Sequence, residues 1–203
     1  MPPVRTHKSI SDLALESVMI VLSVLLALAA SRWAEGRKQQ QLTAQALSSF
    51  EQEMQANQQK LLAVYPYHQA LTAAARRLDS LGTTRTYAEW QRAVPIWSGF
   101  RPPDLTTTAW QTALTTGALA NLPYRQVGVL SDTYSLQNKL DAFNGSYIPL
   151  FDFSDAAMPA TIRRMSAYMQ TVVSFESVLL QDYAKAKGTV SSSTAAPNPA
   201  RTP

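Results

Sequence analysis

The sequence predicts an all-α protein, in which one N-terminal transmembrane helix continues into a long helix and is followed by a soluble helical bundle of about five helices. Three observations predict this class. An apolar run occupies residues 13–31. Behind it, apolar residues recur at alternating spacings of three and four, with no β-type alternation. Glycine is scarce, at 7 of 203 residues, while the helix-forming residues alanine, leucine and glutamine are common.

The apolar run reads LALESVMIVLSVLLALAAS over residues 13–31, and its only charge is Glu16. A helix of this length rises about 28 Å, close to the thickness of a bilayer's hydrocarbon core. Arg32 and Trp33 follow directly, and both residue types prefer the membrane interface. We therefore expect a transmembrane helix at 13–31 behind a short tail at 1–12, with the lipid bilayer as a partner.

Two other interpretations of the run compete with an anchor. In a cleaved signal peptide, Arg5 and Lys8 would form the basic region and Ala27-Leu28-Ala29 the cleavage site, but Asp12 and Glu16 are out of place there. A buried core helix would need to hide apolar residues around its whole circumference inside a small domain. The anchor is favoured over both.

The charges that flank the span bear on its orientation. Basic residues are nearly balanced on the two sides, so the positive-inside rule does not decide. A short N-terminal tail before a large C-terminal domain is a common signal-anchor layout. We expect a single-pass protein of the bacterial inner membrane, with the soluble domain in the periplasm.

A helical stripe follows the span. It consists of Leu47, Phe50, Met54, Asn57, Leu61 and Val64. Without a proline before Pro66, one helix should run from the membrane to about residue 63 and project about 45 Å. The stripe can pack on the domain's own helices, on a second copy or on a membrane-protein partner. In the last two cases Phe50, Met54 and Asn57 are interaction residues, and Asn57 sets the register.

Local signals divide the rest of the chain. Pro66 predicts a break, after which a helix at 67–81 ends at Gly82. Thr86 and Glu89 have the spacing of a capping box and predict a short helix that runs to about residue 94.

Prolines and glycines make the segment 95–103 irregular. Thr107 or Thr108 can cap a helix that carries Trp110 and Leu114 and ends at Gly117.

Two longer helices are predicted after this point. One begins at Pro123 and ends near Phe143, where Asn144-Gly145 interrupts it. The other runs from about residue 155 to 184. Residues 188–203 are rich in Ser, Thr, Ala and Pro and predict a disordered tail, so the helical soluble domain would occupy 32–187.

Several short motifs recur in a recognisable order. They are Glu16, the run Ser23 to Leu28, Trp33 with Glu35, Glu53 with Asn57, Ala109-Trp110, Thr116 to Leu119, and Tyr134. Over residues 13 to 140 this pattern resembles a family of uncharacterised bacterial single-span inner-membrane proteins. Gly36 departs from the more polar stretch of that family. The resemblance implies location and architecture, and it supplies no activity.

Charge and cysteine content exclude several functions. The net charge is +4, and basic pairs such as Arg76-Arg77 and Arg163-Arg164 are scattered along the chain. Nucleic-acid binders concentrate such residues on one surface, so we interpret these pairs as solvated helix faces and expect no nucleic-acid partner. The chain has no cysteine, which excludes disulfides, thiolate catalysis and cysteine-based zinc sites.

No motif predicts catalysis or a cofactor. The two histidines are His7 and His68, and neither has metal-ligand spacing around it. No nucleophile elbow or glycine-rich phosphate loop is present. We interpret Glu16 as a favourable charge at a helix start rather than as an intramembrane site. We expect no enzyme and no catalytic, cofactor-binding or metal site.

An aromatic group in the proline-rich middle comprises Trp90, Trp97, Phe100 and Trp110. Such a group can form an interaction surface, although it more often fills a core. The sequence thus predicts a membrane-anchored, non-enzymatic helical module, either an assembly subunit or a sensor-like binding domain. The alternative is a membrane-tethered hydrolase or lipid-modifying enzyme built around His68.

Overall fold

A computed structural model describes residues 10–195, and their side chains over 14–190. It confirms the all-α class, and the described residues contain no strand. The helices are α1 (Ile10–Leu81), α2 (Tyr87–Ala93), α3 (Thr108–Thr116), α4 (Tyr124–Tyr147) and α5 (Met158–Ala195), with 3₁₀ turns at Ala118–Asn121 and Ile148–Leu150.

Helix α1 is one continuous helix of 72 residues that includes Pro66. The predicted break at Pro66 is therefore wrong. A proline leaves the carbonyl four residues earlier without its N–H partner, but Leu62 and Pro66 both lie on the exposed face, where water can hydrate that carbonyl. On the opposite face, His68 and Leu71 are buried and hold the next turn in the core. Beyond residue 31 the helix extends about 75 Å rather than 45 Å.

Helices α1, α4 and α5 form a three-helix bundle. His68 lies beside Glu176, and Gln58 lies beside Lys187, so α5 runs antiparallel to α1. Asn57 contacts Gln137, and Glu53 contacts Tyr134, so α4 runs parallel to α1. The largest side chains sealed in the bundle are Trp90, Tyr134, Tyr183, Phe50, Met54, Leu61, Leu71, Leu130, Leu140, Met158, Met165 and Met169.

At the short helices the predicted capping box and the predicted terminal glycines are confirmed, whereas the cap predicted at Thr107 is not formed. Thr86 and Glu89 form a reciprocal capping box at the start of α2. Gly82 and Gly117 end α1 and α3 with φ values of 61° and 71°, a left-handed conformation that glycine adopts without steric cost. Thr107 occupies the position before α3 but makes no side-chain capping hydrogen bond.

The ends of α4 and α5 differ from the prediction. Helix α4 continues through Asn144 and Gly145, because the buried Asn144 accepts a hydrogen bond from Tyr168 of α5 (2.7 Å). Helix α5 continues to Ala195, and Val190 is buried. Residues 188–195 of the expected disordered tail are thus helical. Residues 1–9 and 196–203 lie outside the described part.

Residues 98–109, which we call the strap, run along α1 in the opposite direction and end in the first turn of α3. Side chains on one face of α1 bind the strap at five points, each through a main-chain atom of the strap. The contacts are Tyr67 Oη to Gly99 O (2.6 Å), His68 Nε2 to Phe100 O (2.8 Å), Lys60 Nζ to Asp104 O (2.6 Å), Asn57 Nδ2 to Thr106 O (2.7 Å) and Ala109 N to Glu53 Oε2 (3.0 Å). An irregular segment thereby acquires a fixed position.

Candidate functional site

The apolar segment of α1 has no protein around it. Every large apolar side chain from Leu15 to Leu28 is 49–65 % exposed. By length and composition, α1 is the one helix among the described residues that could cross a membrane. Within the described chain this segment is therefore not a buried core helix. Beyond it, Trp33 is 65 % exposed, and the guanidinium of Arg37 lies 5.0 Å from its ring centre.

The stripe on α1 packs inside its own chain. Phe50, Met54 and Asn57 are each 0 % exposed. Phe50 lies against Trp110 and Tyr134, with ring centres 6.3 and 6.2 Å away. Of the arrangements that the sequence left open, the described chain therefore has the core stripe. The side chains of these three residues are not available at its surface.

Asn57 is the centre of a buried polar network. Its Oδ1 accepts hydrogen bonds from Thr106 N (3.0 Å) and Thr106 Oγ1 (3.2 Å), and its Nδ2 donates to Thr106 O (2.7 Å). Gln137 of α4 also donates to Thr106 O (2.9 Å) and accepts from Tyr183 of α5 (2.8 Å). The network joins α1, the strap, α4 and α5, so Asn57 fixes their register within one chain.

Glu53, one turn before Asn57, supplies the cap that Thr107 does not. Its Oε2 accepts the Ala109 N–H in the first turn of α3 (3.0 Å), where a negative charge also complements the helix dipole. Its Oε1 accepts from Tyr134 Oη (2.7 Å). Burial, together with this hydrogen bond to the Glu53 carboxylate, raises the pKa of Tyr134 far above its ordinary value. Tyr134 therefore stays a neutral donor.

The tryptophans belong to two separate groups. Trp110 stacks on Tyr134 (5.4 Å between ring centres) near the middle of α1. Trp90 and Trp97 pack edge to face at the end of the domain that is farthest from the apolar segment, with ring centres 5.7 Å apart. Trp97 also packs edge to face against Phe100, with ring centres 5.3 Å apart. Trp90 is fully buried, whereas Trp97 and Trp110 are half-buried. The predicted single aromatic group is therefore two packing clusters.

His68 forms a buried pair with Glu176. Its Nδ1 lies 2.7 Å from Glu176 Oε1, its Nε2 lies 2.8 Å from the Phe100 carbonyl, and the two residues are 1 % and 0 % exposed. A carbonyl only accepts, so Nε2 carries a hydrogen. Nδ1 and Oε1 then share one further proton, either as imidazolium and carboxylate or as imidazole and carboxylic acid.

This pairing determines what His68 can do chemically. Both ring nitrogens are engaged, so neither presents a free lone pair to an external substrate. Glu176 Oε2 and Trp90 Nε1 are buried without a hydrogen-bond partner among the described residues. Nor do those residues contain a group of three histidines and carboxylates placed to hold a metal ion. The pair fastens α5 and the strap to α1.

The described surface carries several shallow grooves. One groove of about 440 Å³ lies between α1 and α3, and an adjoining groove of about 380 Å³ shares Ser49, Ala109 and Thr112 with it. A third, also about 440 Å³, lies between α4 and α5 and is lined by apolar residues such as Phe175 and Val178.

Sequence reasoning did not find Gln137, Tyr183, Glu176 and Thr106, which complete these networks. His68 and Glu176 are 108 positions apart, and no local spacing signals such a pair. A clue existed for Asn57, since it is a polar residue inside an apolar stripe.

Comparison with protein-family models, curated proteins and solved structures finds no match to this chain.

Proposed function

We propose that the protein is a membrane-anchored, non-enzymatic helical module of the bacterial inner membrane, with its folded domain in the periplasm, and that it serves as an assembly subunit. The observation that carries this proposal is the continuity of α1. The same helix that exposes an apolar segment at 15–28 supplies the core stripe of the folded domain.

Exposure of the apolar segment is costly in water. On the scale of membrane-insertion free energies, each Leu, Ile or Val at the centre of a span favours insertion by about 0.3–0.6 kcal/mol, so the nine such side chains from Leu15 to Leu28 together favour the bilayer by roughly 3–5 kcal/mol. Helical backbone satisfies its own hydrogen bonds, as the hydrocarbon region requires. Both facts support an anchor over a soluble protein.

Two features favour assembly over sensing or catalysis. The strap and the Asn57 network tie α1 to α4 and α5, which leaves little freedom for the helix shift that a sensor would use. The His68 and Glu176 side chains are sealed and mutually bonded, so the enzyme alternative would need the domain to open before substrate reached them.

Membrane fractionation tests the anchor. The full-length protein should stay in the pellet after alkaline carbonate extraction. The double variant Leu22→Arg with Leu25→Arg should be released, because each central arginine costs about 2.5–3.5 kcal/mol in the bilayer. Leu62→Arg with Leu81→Arg, at exposed positions of the same helix, is the matched control and should remain. Release of the unaltered protein would contradict the anchor, and loss of about thirty N-terminal residues by mass would indicate a signal peptide.

Orientation and role need separate measurements. A C-terminal alkaline phosphatase fusion should be active, because this reporter folds only outside the cytoplasm. Pull-down from detergent-solubilised membranes should recover a stoichiometric assembly. A solitary protein that loses its cellular role on His68→Ala while still folded would favour the enzyme alternative.

A further inference from the structure

The part of α1 between the bilayer and the bundle has an unusual surface. Residues 39–50 read QQQLTAQALSSF, with no charged residue over about three turns. On the side of α1 that includes Leu42, the residues Gln45 and Ser49 are nevertheless exposed. Exposed helix faces of soluble domains normally carry charges, and depletion of charged residues is typical of the core of an interface.

A groove runs along this uncharged face. Leu42, Ala46 and Ser49 of α1 form one wall, and Thr112 and Thr116 of α3 form the other. The groove is parallel to α1, because hydrogen bonds place Ala109 beside Glu53 and Asn121 beside Gln39. This groove runs from Leu42 to Ser49 and the adjoining groove continues it to Glu53, so together they extend about 16 Å, or three helical turns. The two grooves thus have the direction and length to accept another helix.

We propose that the occupant is α1 of a second copy of this chain, packed in parallel about a two-fold axis. This inference rests on the membrane anchoring proposed above. A bilayer holds two copies of α1 side by side and in the same direction. An uncharged face meets its own copy without charge repulsion, and small residues such as Ala46 and Ser49 permit close approach of the two backbones.

The contact face continues toward and into the bilayer. Eighteen residues make about five whole turns, so Val24 lies on the same face of α1 as Leu42, and Ser31 lies on the same face as Ser49, both nearer the N-terminus. Between them Glu35 and Lys38 have opposite charges, and in a two-fold pair the carboxylate of one copy can meet the ammonium of the other.

The contact area between two copies of α1 explains why their pairing needs the transmembrane span. Three turns outside the bilayer fall short of the roughly 1,200 Å² of a standard stable interface. The five turns of the span add to it, and the bilayer reduces the rotational and translational entropy lost on pairing. The pairing therefore belongs to the membrane-bound protein.

Cysteine cross-linking in membranes tests the proposal, since the natural chain has no cysteine. Full-length Leu42→Cys and Ser49→Cys variants should form disulfide-linked dimers on oxidation, at about 45 kDa, twice the 22.3 kDa of one chain. Ala44→Cys, at a similar depth but on the opposite side of α1, should give at least tenfold less. A charge on the face should abolish pairing: Ser49→Arg in the Leu42→Cys protein should remove the dimer, whereas Ala44→Arg should leave it intact.

The outcomes separate this inference from the anchor. Carbonate-resistant protein that gives no dimer from Leu42→Cys and Ser49→Cys, or gives as much from Ala44→Cys, overturns the pairing and leaves the anchor standing. A cross-linked band of another mass overturns the second copy in favour of a different membrane protein. Protein absent from the membrane pellet refutes the anchor itself.

Discussion

Replacement of Asn57 by alanine should destabilise the protein strongly, although the side chain is small. Asn57 is 0 % exposed and makes four hydrogen bonds to Thr106 and Gln137. In the variant the Thr106 carbonyl keeps its bond from Gln137, whereas the Thr106 N–H loses its acceptor. An orphaned buried donor costs about 1–3 kcal/mol, and the lost bonds and the small cavity add about 1 kcal/mol.

The total loss should be about 2–4 kcal/mol in the free energy of unfolding. For a chain of this size each kcal/mol lowers Tm by about 2–4 °C, which gives a decrease of about 4–16 °C. The assay is thermal unfolding of the full-length protein in detergent, followed by far-ultraviolet circular dichroism.

Gln55→Ala is the matched control, because Gln55 is exposed and two residues away on the same helix. Its effect should stay within about 0.5 kcal/mol. Equal Tm values for the Asn57 and Gln55 variants would refute the assignment of Asn57 as the residue that binds the strap.

Three further predictions use the same unfolding assay. His68→Ala should cost about 3–5 kcal/mol because it leaves Glu176 buried without its partner, and a cost below that of Gln55→Ala would disprove the pairing. Thr86→Ala should cost about 1 kcal/mol through loss of the α2 cap, whereas Thr86→Ser should be nearly neutral. Stability should fall above about pH 10, because the unfolded chain releases phenol protons there while burial raises the pKa of Tyr134 and Tyr183 in the folded state. Tyr134→Phe should make that decrease shallower, and an unchanged slope would contradict the raised pKa.

The sequence predicted the features that depend on neighbouring residues. Thr86 and Glu89 cap one turn with their own side chains, and Gly82 and Gly117 end helices through their own backbone conformation. The apolar segment could be predicted in the same way, because its length and its composition alone suit the hydrocarbon core of a bilayer. Signals of this kind need no knowledge of what else packs nearby.

Pro66 shows where local reasoning fails. The missing hydrogen bond is a local cost, but whether the helix breaks depends on which face the proline occupies and on how firmly the next turn is held. His68 is held by Glu176, far away in the sequence, and by the strap. The energy of these tertiary contacts exceeds the local preference for a break.

Asn57 was recognised as a residue that sets register, but its partner was not. The sequence allowed a second helix to receive it. In the structure an irregular segment does so, and a main-chain N–H and carbonyl have no sequence signature of their own. The spacing of the stripe therefore predicted that a polar side chain sets the register. It did not predict that the partner of that side chain lies within the same chain.

The unbroken α1 also has a mechanical consequence. In a bilayer this single helix would hold the end of the domain that contains Trp90 and Trp97 about 75 Å from the membrane surface, measured along the helix axis. A tilt of 10° in the span would carry that end sideways by about 13 Å, so changes in bilayer thickness that tilt the span would be magnified at the far end of the domain.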